Sequence, residues 1–169
     1  MANHLNDIAK DHPTWVLDRM ERWPLESPRT AWIAKRALRT LIKKGDRRAL
    51  AVIGAGRKPE VVIHRFSIRP RKLRLGERLT LSFVLTSESK VSQRLVVDYI
   101  IHYVKKSGDS SPKVFKLKEV TLPSGASLHL KRSQAIQDFT TRVHHAGRHE
   151  VEIMVNGERL AKDSFELSK

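Results

Sequence analysis

The spacing of apolar residues changes near residue 57, and the change divides the chain into two regimes. Before it, apolar side chains recur at helical intervals between prolines. Residues 3–10 read as the tail of a helix that begins upstream. Pro13 opens a second helix carrying Trp15, Val16, Leu17, Met20 and Trp23, which ends before Pro24, with Asp11 or His12 as its cap. Ser27-Pro28 opens a helix expected to run to about Lys44: Ser27 suits the N-cap, and Pro28 fills the first position, where a missing N–H costs nothing. Gly45 closes it, and Asp46 caps a last short helix through Ala49, Leu50, Val52 and Ile53.

After the breaker-rich stretch Gly54-Ala55-Gly56-Arg57-Lys58-Pro59 the period drops to two. Leu79, Leu81, Phe83 and Leu85 alternate with polar neighbours, as do Phe115 and Leu117, Leu128 and Leu130, and Val151, Ile153 and Val155. Residues 95–104 are apolar on both faces, as in a central strand. Asn156-Gly157 predicts a hairpin, because a type I′ turn needs φ > 0 at both central positions. With residues 61–66 this makes about seven strands, for which an antiparallel sandwich is the default. The predicted organisation is α+β and multidomain, with a helical segment over 1–57 and a β-sandwich over 58–169.

Composition narrows the chemistry. There are 169 residues, no cysteine and a net charge of +15, so disulfide scaffolds, thiolate metal sites and cysteine nucleophiles are excluded. No apolar run approaches the roughly 20 residues that cross a bilayer, and residues 1–10 lack a secretory signal's apolar core. A cytoplasmic protein with a polyanionic partner, no membrane and no cofactor is expected.

The excess charge is unevenly placed. On the helix from Pro28 to Lys44, Arg29, Trp32, Arg36, Arg39 and Lys43 fall within an arc of about 80°, with Lys35 at its border, and no acidic residue interrupts them. Solvated helices mix signs, because i,i+4 pairs of opposite charge stabilise them. The stripe therefore reads either as a solvated face or as a phosphate-binding one, since each cation placed on a phosphate releases counterions. A second cluster, Arg142, His144, His145 and Arg148, sits in a loop before the strand 150–155. It suits minor-groove contact; a metal reading fails for want of a companion carboxylate or cysteine, and neighbouring His149 also reads as a structural residue. Trp15, Trp23 and Trp32 read as helix-packing residues. No catalytic triad or carboxylate pair can be assembled.

The segments 2–13 and 30–46, above all Ala37-Leu-Arg-Thr-Leu-Ile-Lys-Lys-Gly-Asp46, resemble AlkC-type DNA alkylation-repair glycosylases of the HEAT-like-repeat superfamily. Residues 113–118 and 138–157 resemble the immunoglobulin-like C-terminal extension of some members. The resemblance implies that residues 1–57 are a HEAT-like repeat remnant whose upstream repeats are missing, followed by an immunoglobulin-like sandwich. It implies base excision repair: hydrolysis of the N-glycosidic bond of cationic N-alkylated bases in double-stranded DNA, with a carboxylate stabilising the developing oxocarbenium ion. Asp7 is the carboxylate nearest the implied lesion-facing surface, although helix-end packing also accounts for it. The short chain would then lack most of an active site and be inactive alone. An immunoglobulin-like interaction module for an acidic protein is the alternative.

Overall fold

The computed structural model describes residues 1–140 and 143–169. Five short helices come first: α1 (Ala2–Asp11), α2 (Pro13–Met20), α3 (Pro28–Ala37), α4 (Arg39–Lys43) and α5 (Arg47–Val52). Eight strands follow: β1 (Val61–Arg69), β2 (Lys72–Arg74), β3 (Arg78–Ser87), β4 (Gln93–Val104), β5 (Ser110–Leu122), β6 (Ser127–Ala135), β7 (Gly147–Val155) and β8 (Glu158–Ser168). They form a three-stranded sheet ordered β1-β3-β6 and a five-stranded sheet ordered β2-β8-β7-β4-β5. All pairings are antiparallel except that of the three-residue β2 with β8.

This corrects the expected α+β multidomain architecture. Strands hold 46% of the residues and helices 23%, and the chain is a small β-rich domain without a helical-repeat part. The physical reason is length: α4 and α5 have five and six residues, too few turns to form stacked helix pairs. Their apolar faces instead close on one another and on Val96 of β4.

The alternating strands build the main core. Leu79, Leu81, Phe83 and Leu85 of β3 face Leu95, Val97, Tyr99 and Ile101 of β4 and Val151, Ile153 and Val155 of β7. Val96 lies between two of these inward residues and so points out of the sandwich, where the helices cover it. The helices thus pack on the outer side of the five-stranded sheet, and the three-stranded sheet lies on its inner side.

The expected continuous helix over 28–44 breaks at Leu38, although no proline or glycine stands there. Asn6 of α1, itself buried, places its Oδ1 3.1 Å from the Thr40 N–H and 2.9 Å from its Oγ1. An N–H donated to α1 is lost to the i→i−4 ladder. Ser27 makes no side-chain cap, whereas Asp46 does, accepting from the Ala49 N–H at 2.9 Å.

Helices and strands meet at a joint of two turns. Gly45, φ +77, ends α4, and Gly157, φ +79, sits in the β7–β8 hairpin against it. Beside them Asn156, φ +45, is buried. Its Oδ1 accepts the Val96 N–H at 2.8 Å, and its Nδ2 donates to the carbonyls of Arg94 and Arg57 at 3.0 and 3.3 Å. Arg47 pairs with Glu158 across the same junction.

Candidate nucleic-acid interface

The basic stripe survives the helix break as a surface shared by α3 and α4. Ala34, Ala37 and Leu38 are buried beneath it, while Arg29, Arg36, Arg39 and Lys43 are exposed. Among the described residues none of these four has a carboxylate ion-pair partner. Arg36 is held in place by neutral groups: its Nε donates to Asn3 Oδ1 at 3.2 Å, and its guanidinium lies 5.6 Å from the centre of the Trp32 ring. That contact stiffens the side chain and leaves its charge uncompensated.

Lys35 is spent differently. Its Nζ is 2.5 Å from Glu119 of β5, which also binds Lys116 and lies near Arg94. Burial alone would raise the Glu119 carboxyl, but the hydrogen bonds from Lys116 and Lys35 outweigh it and hold it below the usual range. Lys35 therefore ties α3 to the sandwich.

The tryptophans depart from the packing role expected of them. Trp32 is 58% exposed and Trp15 49%, each under an arginine; only Trp23 is half-buried. Trp32 presents a flat apolar surface in the middle of the cations.

The loop cluster is not brought to the stripe. β7 carries the loop at its start and the helix-contacting hairpin at its end, so nine residues, about 30 Å of strand, separate the two. Arg142 lies outside the described residues. His144 is 3% exposed; its Nδ1 lies 3.2 Å from Asp138 Oδ1, its backbone N–H donates to the same oxygen at 2.6 Å, and its ring meets the face of Tyr103. It is a packing residue. The backbone hydrogen bond from His144 in turn lowers the Asp138 carboxyl. His145 is half-buried, and Arg148 is exposed with its Nε donating to Ser164 at 3.1 Å. His149 is buried against Phe165, its Nδ1 3.0 Å from the Gly147 carbonyl, and burial lowers its pKa.

Asp7 is exposed on α1, 2.8 Å from Lys10, whose hydrogen bond and charge hold its carboxyl below the usual range; Arg39 adds a smaller pull. It is an ionised group at the edge of the stripe. Sequence reasoning missed Glu119 and saw in Asn156 only a hairpin turn, not the hydrogen bonds by which it helps fix the stripe to the sandwich. Periodicity gives no signal for either, because their partners are 84 and 60 residues away.

The chain is similar in sequence and fold to known proteins. A solved structure of Pseudomonas fluorescens alkylpurine DNA glycosylase AlkC, bound to DNA containing an abasic site analog, is 56% identical over 99% of this chain with a TM-score of 0.98. YhaZ of Bacillus subtilis is 37% identical over 167 residues, also 99% of this chain. The chain spans 47% and 46% of those two proteins, about half their length. A Listeria innocua β-glucosidase, 18% identical over 69% of this chain and 17% of its own, shares the fold alone at a TM-score of 0.56. The family model described as "Uncharacterised protein YhaZ, C-terminal Ig-like domain" matches residues 62–169. The chain therefore belongs to the YhaZ family and carries its C-terminal Ig-like domain.

Proposed function

We propose that this chain is the DNA-binding C-terminal portion of a DNA alkylation-repair glycosylase that excises cationic N-alkylated bases. The observation that carries the reading is the acid-free surface of Arg29, Arg36, Arg39 and Lys43, unpaired with any carboxylate among the described residues and pre-ordered on Trp32 and Asn3. The 56% identity to a glycosylase solved on DNA supports it. The four cations hold backbone phosphates of double-stranded alkylated DNA. Arg148 and His145, remote from them, supply at most a separate contact.

A cationic alkylated base is already a good leaving group. What the protein must then add is stabilisation of positive charge developing on the sugar, by an ionised carboxylate aimed at it. Asp7 has the charge state for that role, but it is one exposed carboxylate already engaged by Lys10. The remainder of the longer protein is expected to complete the site. Accordingly, the 169-residue chain incubated with alkylated duplex releases no 3-methyladenine above background; release would overturn that division of labour.

Binding is tested with Arg36→Ala combined with Arg39→Ala. The double variant is expected to bind duplex DNA about tenfold more weakly at low salt, and its log K against log[salt] line to be shallower by about two. Thermal unfolding should not change, since both side chains are exposed. An unchanged affinity and slope would remove the stripe from the interface. Retained DNA affinity together with lost binding to an acidic protein would favour a protein-interaction module instead.

A further inference from the structure

The three-stranded sheet carries a charge pattern that the stripe does not account for. Its strands β1, β3 and β6 contain five lysines and arginines, two histidines and no aspartate or glutamate, in a chain with 18 acidic residues. Acids stand only beyond the strand ends, at Glu60, Glu77 and Glu88. The five-stranded sheet is the reverse. There Arg159 meets Glu152 and Lys162 meets Glu150, Arg71 just before β2 meets Asp163, and among the described residues every ion pair between two strand residues lies on that sheet.

Strand register places the unpaired cations together. Leu79, Leu81, Phe83 and Leu85 point inward, so Thr80, Ser82, Val84 and Thr86 point out. Thr80 lies between Arg69 and Ser133, Ser82 between Ser67 and Lys131, and Val84 between His64 and His129. Arg65 adds a further exposed position: it occupies the bulge of β1 at φ +54, where the ladder is interrupted. Cations and hydroxyls thus alternate over an outer face about 20 Å long, the length over which one DNA strand presents about six phosphates. Among the described residues His64, Arg65, Arg69 and Lys131 have no acidic partner.

We propose that this outer sheet face is a second nucleic-acid surface, one that takes the phosphate backbone of a stretch of duplex other than the one held by α3 and α4. The two surfaces lie on opposite sides of the five-stranded sheet, so a straight duplex lying on one does not reach the other. The sheet face reads no bases: strands lying flat with short hydroxyls and long cations recognise phosphate, and sequence discrimination needs base-edge contacts. The proposal goes beyond the helix-stripe reading and stands or falls separately from it.

The test compares the 169-residue chain, the triple variant Arg65→Asn/Arg69→Gln/Lys131→Gln, and Ser82→Glu, which sets one carboxylate in the middle of the face. Each is titrated with a short duplex over a salt series and with vesicles of phosphatidylcholine and phosphatidylserine, alongside Arg36→Ala/Arg39→Ala. The triple variant is expected to lose about two to three from the salt slope. Ser82→Glu should weaken duplex binding in the same direction, and the stoichiometry should fall from two short duplexes per chain to one. Wild-type slope and stoichiometry in both sheet variants would overturn the proposal, as would vesicle binding that they abolish while duplex binding persists. A loss confined to the sheet variants, with Arg36→Ala/Arg39→Ala behaving as wild type, would uphold the sheet face and remove the helix stripe.

Discussion

Replacing Gly157 by alanine is expected to lower the stability of the protein by about 3–5 kcal/mol. For a chain of this length that is a fall in melting temperature on the order of 10 °C. Two costs add. Gly157 has φ +79, where a Cβ is strained whatever surrounds it. The new Cβ would also stand 2.8 Å from the Gly45 Cα and 2.9 Å from its carbonyl oxygen, and these are backbone atoms that cannot rotate aside. The clash is reciprocal, since a Cβ on Gly45 would meet the Gly157 Cα at 2.8 Å. Gly76→Ala isolates the first cost, because Gly76 has φ +97 but nothing within 4 Å of the added carbon. Its loss should be limited to backbone strain, about 1 kcal/mol. Equal losses in the two variants, measured by chemical denaturation, would show that the turn-to-turn contact carries no weight. The consequence for function is positional. Gly45 ends the helix that carries Arg39 and Lys43, so forcing the turns apart should weaken DNA binding without touching a cation.

The readable and unreadable parts of the chain divide on locality. Alternation over residues 79–85 and 151–155 located β3 and β7 and their inward faces, because burial on one side of a pleated strand imposes a period of two. Asn156-Gly157 marked its hairpin because few residue pairs accept φ > 0 twice, and Asp46 and Gly45 marked helix ends by their own chemistry. What was missed depends on partners far along the chain. The helix over 28–44 has good propensity throughout, yet it breaks because Asn6 takes the Thr40 N–H from 34 residues away. The helical part reads as a repeat remnant because segments 2–13 and 30–46 resemble a HEAT-like-repeat family; neither that resemblance nor apolar spacing reveals that α4 and α5 are too short to stack. On the candidate site, the stripe was legible from the missing acids between Pro28 and Lys44. The loop cluster misled, because composition shows that histidines are present and not that Tyr103 and Asp138 enclose His144. The basic sheet face was open to the same reading as the stripe, strand by strand, but only the register joins its three strands into one surface.

Asp98→Asn is expected to stabilise the protein at pH 7.5 by up to about 3 kcal/mol, the value of a displacement of roughly two pKa units. Asp98 lies on the outer face of β4, 3% exposed beneath the helices. Burial pushes its carboxyl up to about 6 from 3.8; Lys116 and Lys43 pull it down incompletely, and Glu119 pushes it up further. A carboxyl with a higher pKa in the folded state binds its proton more tightly there than in the unfolded chain. Its contribution to stability is therefore full below about pH 4 and is lost as the pH rises to about 6, above which the native state carries a poorly solvated charge. The amide keeps the shape and never acquires that charge. The variant should accordingly match the wild type near pH 4 and gain on it steadily up to about pH 6. His149, lowered by burial, works in the opposite sense, losing stability as the pH falls through 6.5 and below, and it is present in both proteins, so the difference between them isolates Asp98. Urea unfolding at a series of pH values reads that difference directly. If Asp98→Asn is instead the less stable protein at pH 7.5, Lys43 and Lys116 hold the carboxylate as a net stabilising ion pair. Lys43 is then committed to the sandwich, as Lys35 is, and only Arg29, Arg36 and Arg39 are left for phosphate.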